Sequence, residues 1–542
     1  MDCELKLVGG SVVDGTGAAS RPADVAVDGG KISAIGDLGA LDAETTVDAT
    51  GKTVTPGFID IHSHSDFLVP GADHGALVEP FVRQGMTTLV TGNCGFSPAP
   101  VTDHNRSPLA DASVLLADGR LDLRWSDMGG FLDALDEGGV ALNVAQLVGH
   151  GTVRAGVMSY LDPSVPDAEQ LAAMERMTKT ALDQGCVGVS TGLGYPPGIF
   201  SAEQELTTVA SWAASRQKLF TSHLKAYSCV SPVYQSDPLE RPHNIEAIEE
   251  ILRVAEGAGV RLQISHLIFV GRNTWPTHER ALELVEQRRA AGLDVAFDAF
   301  PYTAGNTTAA VLFPPELLPR LEAVLESDEE MANLKAFADF AFASIGFDLG
   351  DIQIMQANAA EYDQYNGLFI DEAAAKAGVD VWTFYARLVL ASHRAARVLL
   401  HNYSGASDDE QALRAVLAHP LCTIETDTCL TEHGHQNPAS YGTFPRVLST
   451  YVDAGLFTFE EAVRKMTGAA AERLGWTDRG VVREGAVADL VVLDGAGLAD
   501  TATFERPDSA PRGIEQVYIG GRRILDGADY DAAALAGTVI RA

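Results

Sequence analysis

The chain is poor in cysteine, poor in basic side chains and without a long apolar run, and each scarcity closes off a class of protein. Six cysteines (Cys3, Cys94, Cys186, Cys229, Cys422, Cys429) scattered over 542 residues do not make a disulfide framework, so each stands as a buried thiol or a ligand. Only 39 lysines and arginines oppose 74 aspartates and glutamates, a formal charge of −35. Such a surface repels phosphate backbones and anionic lipid, which argues against nucleic acid or membrane as a partner. No apolar stretch approaches the roughly 20 residues that span a bilayer. The first ten residues carry charges where a secretion signal needs an apolar core, so a cytoplasmic protein is expected. Internal repeats and low-complexity tracts are also missing. What is present is apolar mass: 46% of the residues are hydrophobic, enough to bury a large core.

Both ends of the chain alternate short β-branched runs with Asp-Gly and Gly-Gly turns, as in Val12-Val13-Asp14-Gly15 and Val517-Tyr518-Ile519-Gly520-Gly521. Neither end supplies enough strands for its own core. One small β-sandwich built from 1–56 and 476–542 is therefore expected. Between them, 57–475 alternates β-like runs with helical patterns, the signature of a parallel βα fold. Eight candidate strands, 57–64, 86–94, 142–150, 186–195, 219–225, 261–266, 294–302 and 421–427, are the number that closes a (β/α)8 TIM-like barrel. The last interval is too long for one crossover helix. An inserted subdomain within 303–420, between strands seven and eight, accounts for it.

Ligand-type side chains recur at the carboxyl ends of these strands, where barrel chemistry sits. His62 and His64 share one face of the first strand because residues i and i+2 point the same way. Cys94 ends the second strand, His150 the third, His223 the fifth, His266 the sixth and Asp427 the eighth. A lone histidine is commonly structural. A thiolate, several imidazoles and a carboxylate converging on one end of a barrel point instead to a bound metal and a hydrolase.

The run Thr55-Pro56-Gly57-Phe58-Ile59-Asp60-Ile61-His62-Ser63-His64-Ser65-Asp66 resembles the opening metal motif of the amidohydrolase superfamily. Gly92-Asn93-Cys94-Gly95-Phe96-Ser97, Ser190-Thr191-Gly192-Leu193-Gly194-Tyr195-Pro196-Pro197-Gly198 and Tyr441-Gly442-Thr443-Phe444-Pro445-Arg446 narrow the resemblance to the N-acyl-D-amino-acid deacylases, the D-aminoacylases, over nearly the whole chain. It implies a zinc-dependent hydrolase of a linear amide, acting on a small-molecule substrate. Carried across, Cys94, His223 and His266 hold a tightly bound zinc, while His62, His64 and Asp427 line a second, weaker position. The resemblance makes Asp427 the general base that later returns a proton to the leaving nitrogen. Tyr195 becomes the donor to the developing oxyanion. His150 either orients substrate or supports the site from behind. Exposed faces of such barrels commonly pair, so a homo-oligomer is compatible with this reading.

The chain departs from the family where a substrate carboxylate is held. Ala439 stands where the family commonly has an arginine, Lys225 replaces another, and the sixth-strand histidine is followed by Leu267, Ile268 and Phe269 in place of a lysine. Three solutions are open. Lys225 holds the carboxylate as a point charge, Arg272 reaches in from the next loop, or the substrate is a larger, more apolar amide lined by Leu267, Ile268 and Phe269. Tyr302 and Asn306 fall in a segment that the resemblance places near substrate. His433 and His435 read as loop residues. Cyclic amides, formamides, carbamates and esters are alternative substrates for such a centre, and a noncatalytic metal-binding protein is the remote alternative.

Overall fold

A computed structural model describes residues 2–119, 121–313, 317 and 320–542. Residues 314–316, 318 and 319 of the expected insert lie outside the described residues. Eight parallel strands form the central barrel: Phe58–Asp60, Met86–Thr91, Asn143–Gly149, Gly188–Gly192, Leu219–His223, Arg261–Ile264, Val295–Ala299 and Cys422–Ile424. Each pairs with its successor, in registers such as Thr221 opposite Gln263 and Phe297 opposite Cys422. These strands are buried along nearly all their length, as parallel strands covered by helices must be. The helices that cover them start on ordinary signals. Asp167 and Gln170 form a capping box for Ala168–Asp183, and Thr458 and Glu461 do the same for Phe459–Met466.

The seam between first and last strands closes just beyond the regular ladders. Ser63 bridges Thr428 in parallel, Asp427 N donates to His62 O at 3.1 Å, and His64 N donates to Thr428 O at 3.1 Å. Below these bonds the buried Asp60 carboxylate accepts Thr426 N at 3.1 Å and Thr426 Oγ1 at 2.6 Å. Burial pushes the Asp60 carboxyl up to about 7 in spite of those donors.

Two further sheets pack together beside the barrel. One has the order Lys31–Gly36, Asp24–Asp28, Cys3–Val8, Ala43–Asp48, and the other combines Thr53–Pro56 with Leu490–Leu493, Ile514–Ile519 and Arg522–Asp526. A shared core of Leu5, Leu7, Val25, Val27, Val54, Leu490, Val492 and Tyr518 joins residues from both ends of the chain. The extreme C-terminal segment leaves this sandwich. Val539–Ile540 pairs with Val144 and Ala145 of the third barrel strand, along the edge below Leu147, where the fourth strand begins its own pairing at Gly188. An unpaired edge is thereby covered.

Between the seventh and eighth barrel strands an inserted unit carries the antiparallel sheet Ala304–Thr308, Arg397–His401, Ile352–Gln356 with the helices Asp328–Ile345, Ile370–Ala377 and Val381–Ala391. Among the described residues no helix is long and apolar enough to cross a membrane.

Candidate metal centre

The carboxyl ends of five barrel strands, the first and eighth of which meet at the seam, deliver two overlapping groups of metal-type donors. His62, His64, Cys94 and Asp427 form one group, and Cys94, His223 and His266 the other, the ligand atoms of each lying within 4.8 Å of one another. Cys94 belongs to both. Its Sγ lies 3.2 Å from His62 Nε2, 3.4 Å from His266 Nε2 and 3.7 Å from His223 Nδ1. Asp427 Oδ1 lies 3.4 Å from His64 Nε2 and 3.5 Å from His62 Nε2. One thiolate, imidazoles and a single carboxylate suit zinc and disfavour calcium or magnesium, which require oxygen-rich shells.

Electrostatics couple these donors as ion pairs: burial works against charge on His62, His64 and His266, but Cys94 and Asp427 still raise all three above the ordinary imidazole range. Burial works against a Cys94 thiolate, but the His62 and His266 imidazoles outweigh it and hold the thiol well below its ordinary range. Burial also opposes ionised Asp427, and His266, His64 and His62 together still keep its carboxyl below the usual value. His223 is held down, first by burial and then by His266, so it stays the neutral ligand a metal requires.

Three of the six donors sit in left-handed backbone: Cys94 at φ 53°, His266 at φ 30° and Asp427 at φ 47°. Such geometry costs of order 1–3 kcal/mol per residue and persists only where the surroundings impose it. Here hydrogen bonds impose it. Tyr195 Oη donates to Cys94 O at 2.9 Å, the His266 N–H donates to Asp298 Oδ1 at 2.6 Å, and Asp427 N is tied to His62 O.

The amidohydrolase family pattern matches residues 45–313 and 376–525. This chain belongs to the amidohydrolase family. It is 35% identical over 525 residues to the N-acyl-D-glutamate deacylase of Alcaligenes xylosoxydans xylosoxydans, covering 96% of this chain and 93% of that protein. It is 34% identical over 520 residues to the D-aminoacylase of the same organism, with the same shares covered. A solved structure of N-acyl-D-glutamate deacylase from Bordetella bronchiseptica, complexed with zinc and a phosphonate mimic of the tetrahedral intermediate, matches along 100% of both chains with TM-score 0.81 and 32% identity.

In this amidohydrolase the other expected site residues separate into near and far. Tyr195 stands beside the donors, its ring stacked on Phe96 at 5.4 Å and tilted against His223 at 4.9 Å. His150 turns away: its Nε2 meets Glu205 Oε1 at 2.9 Å, in a buried cluster with Arg154. Lys225 Nζ is engaged by Glu250 Oε1 at 2.7 Å. Tyr302 Oη donates to Asp500 Oδ2 at 3.0 Å under the Arg446 guanidinium, and Asn306 accepts from Asn437 Nδ2 at 2.9 Å. Leu267 and Phe269 are 1% and 0% exposed and Ile268 is 7% exposed, so they fill core and the first two offer a substrate no surface. The reason is pairing with distant segments: Leu267 N is drawn to Asp298 O and Phe269 N to Ser404 Oγ, which carries this segment inward. Arg272 sits at the surface against Asp408 at 3.2 Å. His435 is tied to Phe504 O at 2.7 Å, and His433 is exposed.

Two supporting residues escaped the sequence reading. Asp298, at the end of the seventh strand, faces His62 Nδ1 at 3.4 Å while holding His266. Its signal was a carboxylate interrupting the apolar run Val295-Ala296-Phe297-Asp298-Ala299-Phe300. Tyr227 packs its ring on both His223 and His266, with its hydroxyl donating to Ser265 O at 3.0 Å and accepting Leu224 N at 2.8 Å. It lies in a loop with no pattern to announce it.

Proposed function

We propose that this amidohydrolase cleaves linear amide bonds of N-acylated amino compounds, with Cys94, His223 and His266 holding a zinc ion and His62, His64 and Asp427 lining a second position. The observation that carries the reading is Cys94 Sγ standing between both donor groups with Asp427 in contact with the His62/His64 pair. A zinc ion bound here supplies an acidified water and a polarised carbonyl near neutral pH.

The chain's own groups supply the rest. Asp427 is ionised despite burial, so its carboxylate takes a proton from the attacking water and returns it to the leaving nitrogen. His62 and His64 both approach Oδ1, which orients that oxygen. Burial, and then the neighbouring Cys94, keep the Tyr195 phenol protonated at the site rim; its one O–H is donated to Cys94 O, so it serves the oxyanion only by exchanging that bond for the new one. His150, committed to Glu205, which Arg154 also binds, supports the third strand's end and takes no part in proton transfer.

The test compares zinc-loaded wild type with Asp427→Asn and Cys94→Ala on matched N-acyl-D- and N-acyl-L-amino acids. Asp427→Asn should keep its zinc and lose about 10²- to 10⁴-fold in kcat, and Cys94→Ala should lose zinc. An Asp427→Asn enzyme near wild-type activity removes Asp427 from the mechanism. Absence of hydrolysis of any acylated amine by the zinc-loaded protein refutes the reading.

A further inference from the structure

At the amino end of the barrel, opposite the metal donors, the structure opens a cavity of about 680 Å³. Its wall carries the cations Arg216, Lys218, Arg261, Arg479 and Arg541 against one acidic side chain, Asp478. The whole chain has 39 basic residues to 74 acidic ones, so the balance is inverted here. Arg216 and Lys218 lead into the fifth strand, Arg261 opens the sixth, and Arg541 follows the C-terminal strand that pairs beside Val144. In a molecule with a formal charge of −35, a concave patch of the opposite sign focuses the field and draws small anions to one place.

The acids that partner these cations do not line the cavity, and they leave donors unused. Asp183 accepts Arg216 Nε and Nη2 at 2.7 and 2.8 Å. Asp294 is shared by Arg261 Nε at 2.8 Å, Arg473 Nη1 at 2.6 Å and Arg289 Nη1, so one carboxylate answers three guanidiniums. Arg261 Nη2 makes no hydrogen bond among the described residues. Neither do Nε and Nη1 of Arg541, whose Nη2 takes both Asp133 and Asp136. Lys218 is only partly exposed, and its ammonium makes neither a hydrogen bond nor an ion pair among the described residues. Burial lowers its pKa, an effect that Cys186 and Asp183 offset only in part. Guanidinium N–H groups and an ammonium facing one cavity are the donors that carboxylate and phosphate oxygens require, and cavities of roughly 300–1,000 Å³ hold small molecules. The geometry points to an anion-binding site at the foot of the barrel, built by Lys218, Arg261 and Arg541, that takes a small molecule carrying two or more carboxylate or phosphate groups. It is separate from the metal centre, which sits at the other end of the same strands.

The experiment titrates zinc-loaded protein in a calorimeter at low salt, where exposed charges are least screened, with succinate and with fructose 1,6-bisphosphate. At least one probe should bind with a Kd below about 1 mM, and the tighter of the two tells whether carboxylate or phosphate is the group recognised. Lys218→Met removes one charged contact and should weaken that binding about 10- to 100-fold, whereas Lys218→Arg keeps the charge and should stay within a few-fold of wild type. Cys94→Ala should bind the probe as wild type does, because it alters only the opposite end of the barrel. Circular dichroism, and hydrolysis without the probe at the wild-type rate, verify the Lys218 variants. Binding of neither probe at about 10 mM overturns the assignment. So does equal affinity in wild type and Lys218→Met, or binding that disappears in Cys94→Ala, which would put the probe on the metal donors.

Discussion

Replacing Asp298 by alanine takes from the end of the seventh barrel strand a carboxylate that serves two metal donors at once. Its Oδ1 accepts the His266 N–H at 2.6 Å and faces His62 Nδ1 at 3.4 Å, while its Oδ2 accepts Gln263 Nε2 at 2.8 Å. Gln263 retains Thr423 Oγ1 at 3.0 Å, so its loss is partial. The His266 N–H has no other partner among the described residues, and that bond holds the residue at φ 30°. A buried donor left unpaired costs about 1–3 kcal/mol. Removing the carboxylate behind a ligand histidine typically weakens metal binding about 10- to 100-fold, or about 1.4–2.7 kcal/mol, and the two figures agree. Asp298→Ala should therefore bind zinc about 10- to 100-fold more weakly, measured by competition against a chromophoric chelator with folding verified by circular dichroism. Asp298→Asn should lose less, because its amide oxygen keeps the His266 bond while its NH2 opposes the Gln263 amide. Zinc affinity of Asp298→Ala within a few-fold of wild type would refute the idea that this carboxylate shapes the centre.

Three further outcomes are expected. A methyl group at Gly192 would stand 2.0 Å from Cys94 O and 2.7 Å from the Tyr195 ring, so Gly192→Ala should displace both and lose bound zinc and turnover; normal zinc stoichiometry with normal kcat contradicts this. Glu205→Ala strands Arg154, which is 0% exposed, and should destabilise the protein by about 3–5 kcal/mol in chemical denaturation, whereas a change below 1 kcal/mol would show that water or backbone carbonyls suffice. Burial raises the Glu205 carboxyl, but His150 and Arg154 bring it below the ordinary range. Its contribution to stability is thus complete above the unfolded glutamate pKa of about 4.3 and is lost as pH falls through the lower folded value; a Glu205→Gln protein should show a shallower acid limb in its stability against pH, and an identical limb excludes this carboxylate as a cause.

The barrel was legible because parallel strands buried on both faces leave continuous apolar runs, and their polar terminators fell at His62, Cys94, His223, His266 and Asp427. The sandwich was legible in the turn chemistry of both ends. Substrate contacts were not. Lys225 looked available until the fold brought Glu250 alongside it, and Leu267 to Phe269 looked like a pocket lining because an apolar triplet reads the same in a wall and in a core. Pairing between distant segments decides such questions, and local composition carries no record of it. The C-terminal strand shows the same limit: nothing in Val539-Ile540 tells that it belongs beside Val144 and not in the sandwich.

The seam where the barrel closes has a consequence for how the protein is made. Asp60 and Thr426 are separated by 366 positions and meet there, and His62, His64 and Asp427 meet one layer above them. A chain emerging from the ribosome therefore offers Cys94, His223 and His266 long before Asp427 exists. The group of His62, His64, Cys94 and Asp427 is completed only when the last strand is laid in. Closure of the barrel and completion of this donor group are thus one event, and a chain ended before the eighth strand would lack both.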